Sequence, residues 1–274
     1  MILFDNFHET IFLKSSSNLE KDINELKEIR KTLSNTYQID KDIKLLETGL
    51  QGEKEIEFEL KNANIGMYVL HDINIEFEDL KAQIDYVIVT KAYTYLVECK
   101  NMIGNITINE NGEFKREYNY NGEKIIEGIY SPYRQALRHK EVLKKIWLSN
   151  HNKISAYLWE KSFDRNYKPL VVLTNSKGLT NMRYAPKEIK DITIRSDALI
   201  EYIKKDIVHL NANSLIGENG VVIVEINNMD AVGQVKIKGQ VWSAKSLNGE
   251  IIKENKEVKV EKIEGVHLIV KNID

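Results

Sequence analysis

The chain contains a single cysteine, Cys99, among 274 residues. That excludes an internal disulfide framework and a cysteine-based zinc centre. Only three prolines occur, so no Pro-rich linker separates its parts. No stretch approaches the roughly 18–20 consecutive apolar residues of a membrane span. The opening MILFDNFHETIF lacks a basic segment followed by an apolar run, so no secretory signal is read there. These absences predict a cytoplasmic protein without a membrane span. An excess of charge of one sign is missing too: the formal net charge is −2. That balance argues against a tight, non-specific nucleic-acid coat, which needs a strongly basic face, but leaves room for an enzyme that touches nucleic acid locally. No repeat and no low-complexity tract is present.

What is there suits a soluble globular chain: 42% hydrophobic and 29% charged residues, with a length that fits two domains. In residues 17–33, Leu19, Ile23, Leu26, Ile29 and Leu33 recur at helical spacing, with Ser17 and Glu20 placed as a capping box. This helix either packs on the main domain or makes a coiled-coil or dimer contact. TGLQGEKEIEFELKNA follows, with Gly49 and Gly52 expected before a short helix. There Glu53 shares the inward stripe of Ile56 and Leu60, and an inward acid is costly unless paired or metal-bound.

Next comes a mostly antiparallel run of strands: MYVLHDINIEF (one strand or two), AQIDYVIVT, YTYLVECK, and a segment holding Asn111-Gly112 and Asn121-Gly122, both hairpin signals. At SPYRQALRHKEVLKKIWLSN the period turns helical, with Ser131 as cap, Pro132 at the first position, and Tyr133, Ala136, Leu137, Leu143 and Trp147 inward. ISAYLW and KPLVVLT read as further strands, and SDALIEYIKKDI as a helix capped by Ser196. Past about residue 213 only short alternating strands remain, suited to a small Greek-key barrel of the OB type. The expected layout is a helical arm at 1–48, an α/β domain at 49–212 and the barrel at 213–274.

The chemistry gathers around YLVECKN. Strand neighbours alternate sides, so Glu98 and Lys100 share one face and Cys99 takes the other. If this strand pairs with QIDYVIV, Asp85 comes close to Glu98, and Glu53 arrives from the helix before. Crowded carboxylates raise one another's pKa, and a divalent cation offsets that. Oxygen ligands without histidine or cysteine side chains suit Mg²⁺ or Mn²⁺. Such an ion activates water and polarises a phosphoryl oxygen, while a lysine orients the water or stabilises growing charge. Glu-x-Lys alone is equally a solvated ion pair. Asp85 in an apolar strand and the inward Glu53 are what favour a site.

The ordered set Gly49, Gly52, Glu53; Gln83, Ile84, Asp85; Glu98, Lys100, Asn101; then Gly104 closely resembles the nuclease-related domain family, NERD, of the PD-(D/E)xK nuclease superfamily. Pro132, Gln135 and His139 in SPYRQALRHKEVL fit the family's later helix, and the resemblance spans roughly residues 49–175. It implies a restriction-endonuclease-like mixed sheet flanked by helices and hydrolysis of nucleic acid, DNA first. Within that reading, Asp85 and Glu98 are metal ligands, Lys100 is the catalytic lysine, Glu53 is an accessory acid and Gln135 helps at the phosphate or base. Tyr86 stands where the family often has histidine. A catalytically silent DNA-binding copy and a protein adaptor remain as rivals. The tail, carried by Gly233–Ala244 (GQVKIKGQVWSA), resembles the OB-fold domain of NfeD-type proteins. That implies a protein partner for the barrel.

Other residues carry weaker signals. Arg134, Arg138 and Lys145 line an outer helix face, as a solvated surface or as a phosphate-steering, nucleic-acid-binding track. Cys99 reads as a buried thiol, or as a metal contact through its backbone carbonyl. Trp242 reads as core rather than as a stacking platform. The histidines show no metal-ligand spacing and read mostly as surface. The balanced charge points to substrate affinity that depends on a homodimer or a partner.

Overall fold

The computed structural model describes residues 9–15, 17–120, 122–150, 156–174 and 178–273. Two compact units divide the chain, Met1–Lys204 and Lys205–Asp274. The first is built on a six-stranded mixed sheet. In chain order its strands are β1 (Thr10–Lys14), β2 (Met67–Phe77), β3 (Leu80–Thr90), β4 (Thr94–Lys100), β8 (Tyr167–Leu173) and β10 (Thr193–Arg195). They lie side by side in that same order. The β2–β3–β4 meander is antiparallel, while β1, β8 and β10 join in parallel. A second, four-stranded sheet holds β5 (Asn105–Ile108), β6 (Phe114–Tyr120), β7 (Glu123–Ile129) and β9 (Thr180–Asn181). Gly112 and Gly122 take the left-handed backbone, φ 73° and 84°, that its tight turns require. Asn121 lies outside the described residues.

Helices α1 (Asn18–Arg30) and α2 (Tyr37–Lys61) pack on each other through Ile23, Ile39 and Ile43. The first thus packs within the unit. Ser17 caps it by accepting from Leu19 N, but Glu20 pairs with Lys54 rather than closing a capping box. Helix α3 (Pro132–Ser149) starts at the Ser131 cap, whose hydroxyl accepts from Arg134 N. Its buried stripe is Pro132, Ala136, His139 and Val142. Leu143 and Trp147 lie half-buried on the flank.

Four expectations are corrected. Gly49 and Gly52 do not precede a short helix: both lie inside the 25-residue α2. A Cβ on Gly52 would lie 2.5 Å from Thr174 Oγ1 and 2.7 Å from Asn101 Cβ. The glycine therefore serves close packing, not helix entry. The segment before residue 49 is not purely helical. Strand β1 pairs with β2, and the Thr10 hydroxyl donates to the Leu60 carbonyl. The described part of ISAYLW is helical, in α4 (Ala156–Asn166). A short apolar run has no period of its own, and here Phe163 anchors the helix by stacking on Tyr167 at 4.1 Å. Ser196 does not cap the last helix. It starts a 3-10 turn (Ser196–Ala198) before α6 (Leu199–Asn213), and its hydroxyl donates to the Glu55 carboxylate. A short helix unseen in the sequence, α5 (Lys187–Ile192), completes the unit.

The second unit is a closed five-stranded barrel, in the spatial order β11 (Asn219–Asn227), β12 (Val232–Ile237), β13 (Gln240–Ser246), β15 (His267–Asn272) and β14 (Glu257–Glu264). Val222, Ile226, Val235, Ile237, Val258 and Val270 fill it, with Trp242 packed at their side. Among the described residues, no helix is long and apolar enough to cross a membrane.

Candidate active site

Helices α2 and α3 meet opposite faces of the main sheet around β4. Glu98 faces His139 of α3, and the next residue, Cys99, faces Gly52 of α2. The β3–β4 ladder ends at Tyr86 opposite Val97. One step further in register stand Asp85 and Glu98, on the α3 side, where the ladder has stopped. There the Asp85 carboxylate itself takes the backbone N–H of Cys99, at 2.7 Å. A sheet that runs out of pairing at two acids thus supplies its own acceptor and leaves a cleft beside them.

That cleft has a volume of about 390 Å³ and is lined by Glu53, Asp85, Glu98, Lys100, Gln135 and Arg138, among others. Lys100 Nζ lies 2.6 Å from Glu98 Oε1. The other oxygen, Glu98 Oε2, is buried without a hydrogen-bond partner. His139 Nδ1 approaches it to 3.3 Å without hydrogen-bonding geometry. A buried acceptor left unsatisfied costs roughly 1–3 kcal/mol, and more when charged. Burial, followed by the neighbouring Glu98 charge, pushes the Asp85 carboxyl well above the usual carboxylate range, against the pull of the Cys99 N–H and Lys100. Burial raises Glu98 as well, while Lys100 pulls it back. For Lys100, burial works downward, but attraction to Glu98 outweighs it and the ammonium titrates higher than usual. Burial and the charges of Lys100 and Arg138 lower His139 to about 4, so it is neutral near pH 7.

Glu53 reaches the same cleft from α2, not from the face of Asp85 and Glu98. Its Oε2 accepts from His71 Nε2 at 2.7 Å. His71 lies flat on Tyr86, ring centroids 4.3 Å apart, and the Tyr86 hydroxyl donates to the Glu53 carbonyl at 2.8 Å. The histidine therefore meets the cost of an inward acid that the sequence left open. Next along β2, buried Asp72 adopts φ 56°. Its carboxylate accepts from Asn18 N at 2.9 Å and from Gln83 Nε2 at 2.7 Å, tying the start of α1 to the cleft wall.

The expected site residues Glu53, Asp85, Glu98, Cys99, Lys100, Gln135 and Arg138 all line the cleft, whereas Arg134 and Lys145 do not. The Cys99 thiol turns toward Gly52 and burial pushes its pKa up, so any part it plays there belongs to its backbone. Two histidines are buried against cleft carboxylates: His139, which fits the expected helix motif, against Glu98, and His71, for which no role was expected, against Glu53. In the β2–β3 register His71 stands directly across from Tyr86.

Among the described residues, no three His, Cys, Asp or Glu side chains group closely enough to hold an ion by themselves. In donor chemistry two carboxylates would suit Mg²⁺ or Mn²⁺, which keep several waters and take only one or two protein carboxylates beside substrate phosphate. The orphaned Glu98 oxygen and the crowded Asp85 are what such an ion would satisfy.

The strand-end acids, the paired lysine and most of the two flanking helices fall within one stretch that is similar to a known family. Residues 48–174 match the family model described as nuclease-related domain. Residues 212–271 match the model described as NfeD-like C-terminal, partner-binding domain, and this stretch holds nearly all of the barrel. Three solved structures share sequence with part of the chain. The C-terminal domain of stomatin operon partner protein 1510-C from Pyrococcus horikoshii is 32% identical, covering 23% of this chain and 92% of its own, with a TM-score of 0.20. The soluble domain of a membrane protein implicated in regulation of membrane protease activity, from Corynebacterium glutamicum, is 30% identical, covering 22% and 92%, at TM-score 0.20. The soluble domain of the NfeD protein YuaF from Bacillus subtilis is 23% identical, covering 28% and 95%, at TM-score 0.25. No curated protein matches the chain.

Proposed function

We propose that the first unit is a Mg²⁺- or Mn²⁺-dependent nuclease that hydrolyses phosphodiester bonds, with DNA as the first substrate to test. The observation that carries this reading is the Asp85–Glu98 pair at the end of the β3–β4 ladder, with one Glu98 oxygen buried and unpartnered. Asp85 and Glu98 would hold the ion, joined by the backbone carbonyl of Cys99. Bound there, it would lower the pKa of a water and polarise the phosphoryl group. Lys100, kept positive by Glu98, stabilises charge growing on the phosphate oxygens. Gln135 offers a neutral donor and Arg138 a fixed cation for the flanking phosphate. Neutral His139 packs against the Glu98 carboxylate without adding charge. Glu53, held by His71 and Tyr86, supports the rim from α2.

The test is a Mg²⁺ and Mn²⁺ titration with DNA, comparing the native chain with Glu98→Ala and Lys100→Ala. Each substitution is expected to lower cleavage by about 10²- to 10⁴-fold. Cleavage that survives both would sink the assignment. DNA binding without cleavage in either metal would favour a catalytically silent nuclease fold. For the barrel we infer a protein partner, in line with the description of the matched model as a partner-binding domain.

A further inference from the structure

Tyr130 occupies an unusual place for a large aromatic. It sits on the loop between β7 and α3, just before the Ser131 cap, and is 58% exposed. It also lines the cleft with the acids and Lys100. The other exposed aromatics among the described residues, Tyr37, Phe58, Tyr157, Trp159 and Tyr184, do not. Its ring is held from α3: Arg138 donates to the Tyr130 hydroxyl, and its guanidinium carbon stands 5.7 Å from the ring centroid. An aromatic that is exposed yet fixed presents its surface at little further entropic cost on binding.

Electrostatics points the same way. The cleft's cations are Lys81, Lys100 and Arg138, set against Glu53, Asp85 and Glu98, and Lys100 is already engaged by Glu98. With a net charge of −2, the chain has little to offer the phosphate backbone of a duplex. Stacking supplies affinity without charge, but only to a base whose face is uncovered, as in a single strand, a loop or a frayed end. A cleft of about 390 Å³ is also on the scale of a small-molecule pocket.

Resting on the nuclease reading above, we infer that Tyr130, steadied by Arg138, is a base-stacking platform, and that the cleft takes an unpaired strand rather than continuous duplex. Tyr130→Ala should raise KM for a single-stranded oligonucleotide about ten- to a hundredfold, the size of one base–aromatic stack, with kcat nearly unchanged. Tyr130→Phe, which keeps the ring and loses only the hydroxyl, should stay within a few-fold of the native chain. An oligonucleotide with abasic sites flanking the cut should be bound alike by the native chain and Tyr130→Ala. Stacking is read separately, without metal, by quenching of a 2-aminopurine oligonucleotide on the full chain. The native protein should quench it and Tyr130→Ala should not. A native preference for duplex, or equal KM and quenching in Tyr130→Ala, would overturn the inference. Quenching that depends on Tyr130, in a chain that never cleaves, would remove the nuclease reading and leave the platform standing.

Discussion

The two units fill their interiors in opposite ways. The barrel is closed by aliphatic side chains, and Ser246 is its one buried polar residue among those described. The first unit buries Glu53, His71, Asp72, Glu98 and His139 within or beside one cleft. Burying a charge is costly unless it is paired, and pairing here is incomplete: Glu98 keeps one oxygen without a partner. The barrel's unpartnered buried atoms among the described residues, Trp242 Nε1, Ser246 Oγ and His267 Nδ1, include no carboxylate. A domain that handled a phosphate and a hard cation, as proposed for the first unit, would need buried carboxylates in place before the ligand arrived. On the proposed reading, the contrast separates interior that serves stability from interior that serves chemistry.

The sharpest way to break this comparison is to cut into each interior and measure both stability and cleavage. Ile226→Ala empties a fully buried site in the barrel and should cost about 2–5 kcal/mol of unfolding free energy. Urea unfolding should show that loss while the cleavage rate per folded molecule holds. In the cleft the sign should reverse. Asp85→Asn can keep the bond to Cys99 N while removing the crowded charge. Calorimetry in metal-free buffer near pH 7 should show a raised thermal midpoint, because the carboxylate that burial and Glu98 disfavour is gone, with cleavage lost. If Asp85→Asn destabilises as Ile226→Ala does, the cleft acids are ordinary structural residues and the contrast fails.

A smaller effect probes the frame around the cleft. Glycine to alanine inside a helix ordinarily gains about 1 kcal/mol. At Gly52 the added Cβ meets Thr174 and Asn101 at 2.5 and 2.7 Å, and overpacking should instead cost about 1–3 kcal/mol. A raised thermal midpoint for Gly52→Ala would show that α2 can shift away from β4, and that the packing is looser than these distances require.

How far the site could be read in advance follows from the kind of signal each residue gives. Asp85, Glu98 and Lys100 were legible because strand alternation and a hairpin register are local rules, and the acids stood out in apolar strands. Glu53 was legible as an inward acid, but its partner was not. His71 lies eighteen residues away on another element, and no spacing rule links a helix to a strand across a sheet. Gly52 was misread because glycine looks like a helix boundary until the side chains it must clear are known. The described part of ISAYLW was misread because a run that short carries no period. Tyr130 gave no signal beyond its place before a helix cap.

By itself the sequence determined the element types with strong periods, the change from mixed α/β to all-β near residue 213, and the acids and lysine that line one cleft. Alternation and helical spacing are properties of neighbouring residues. Only the tertiary structure decided which oxygen of Glu98 is left unpartnered, that His71 and Tyr86 hold Glu53, and that the cleft opens where the β3–β4 ladder runs out. Those facts depend on desolvation and on contacts between distant segments, which exist only once the chain has closed on itself.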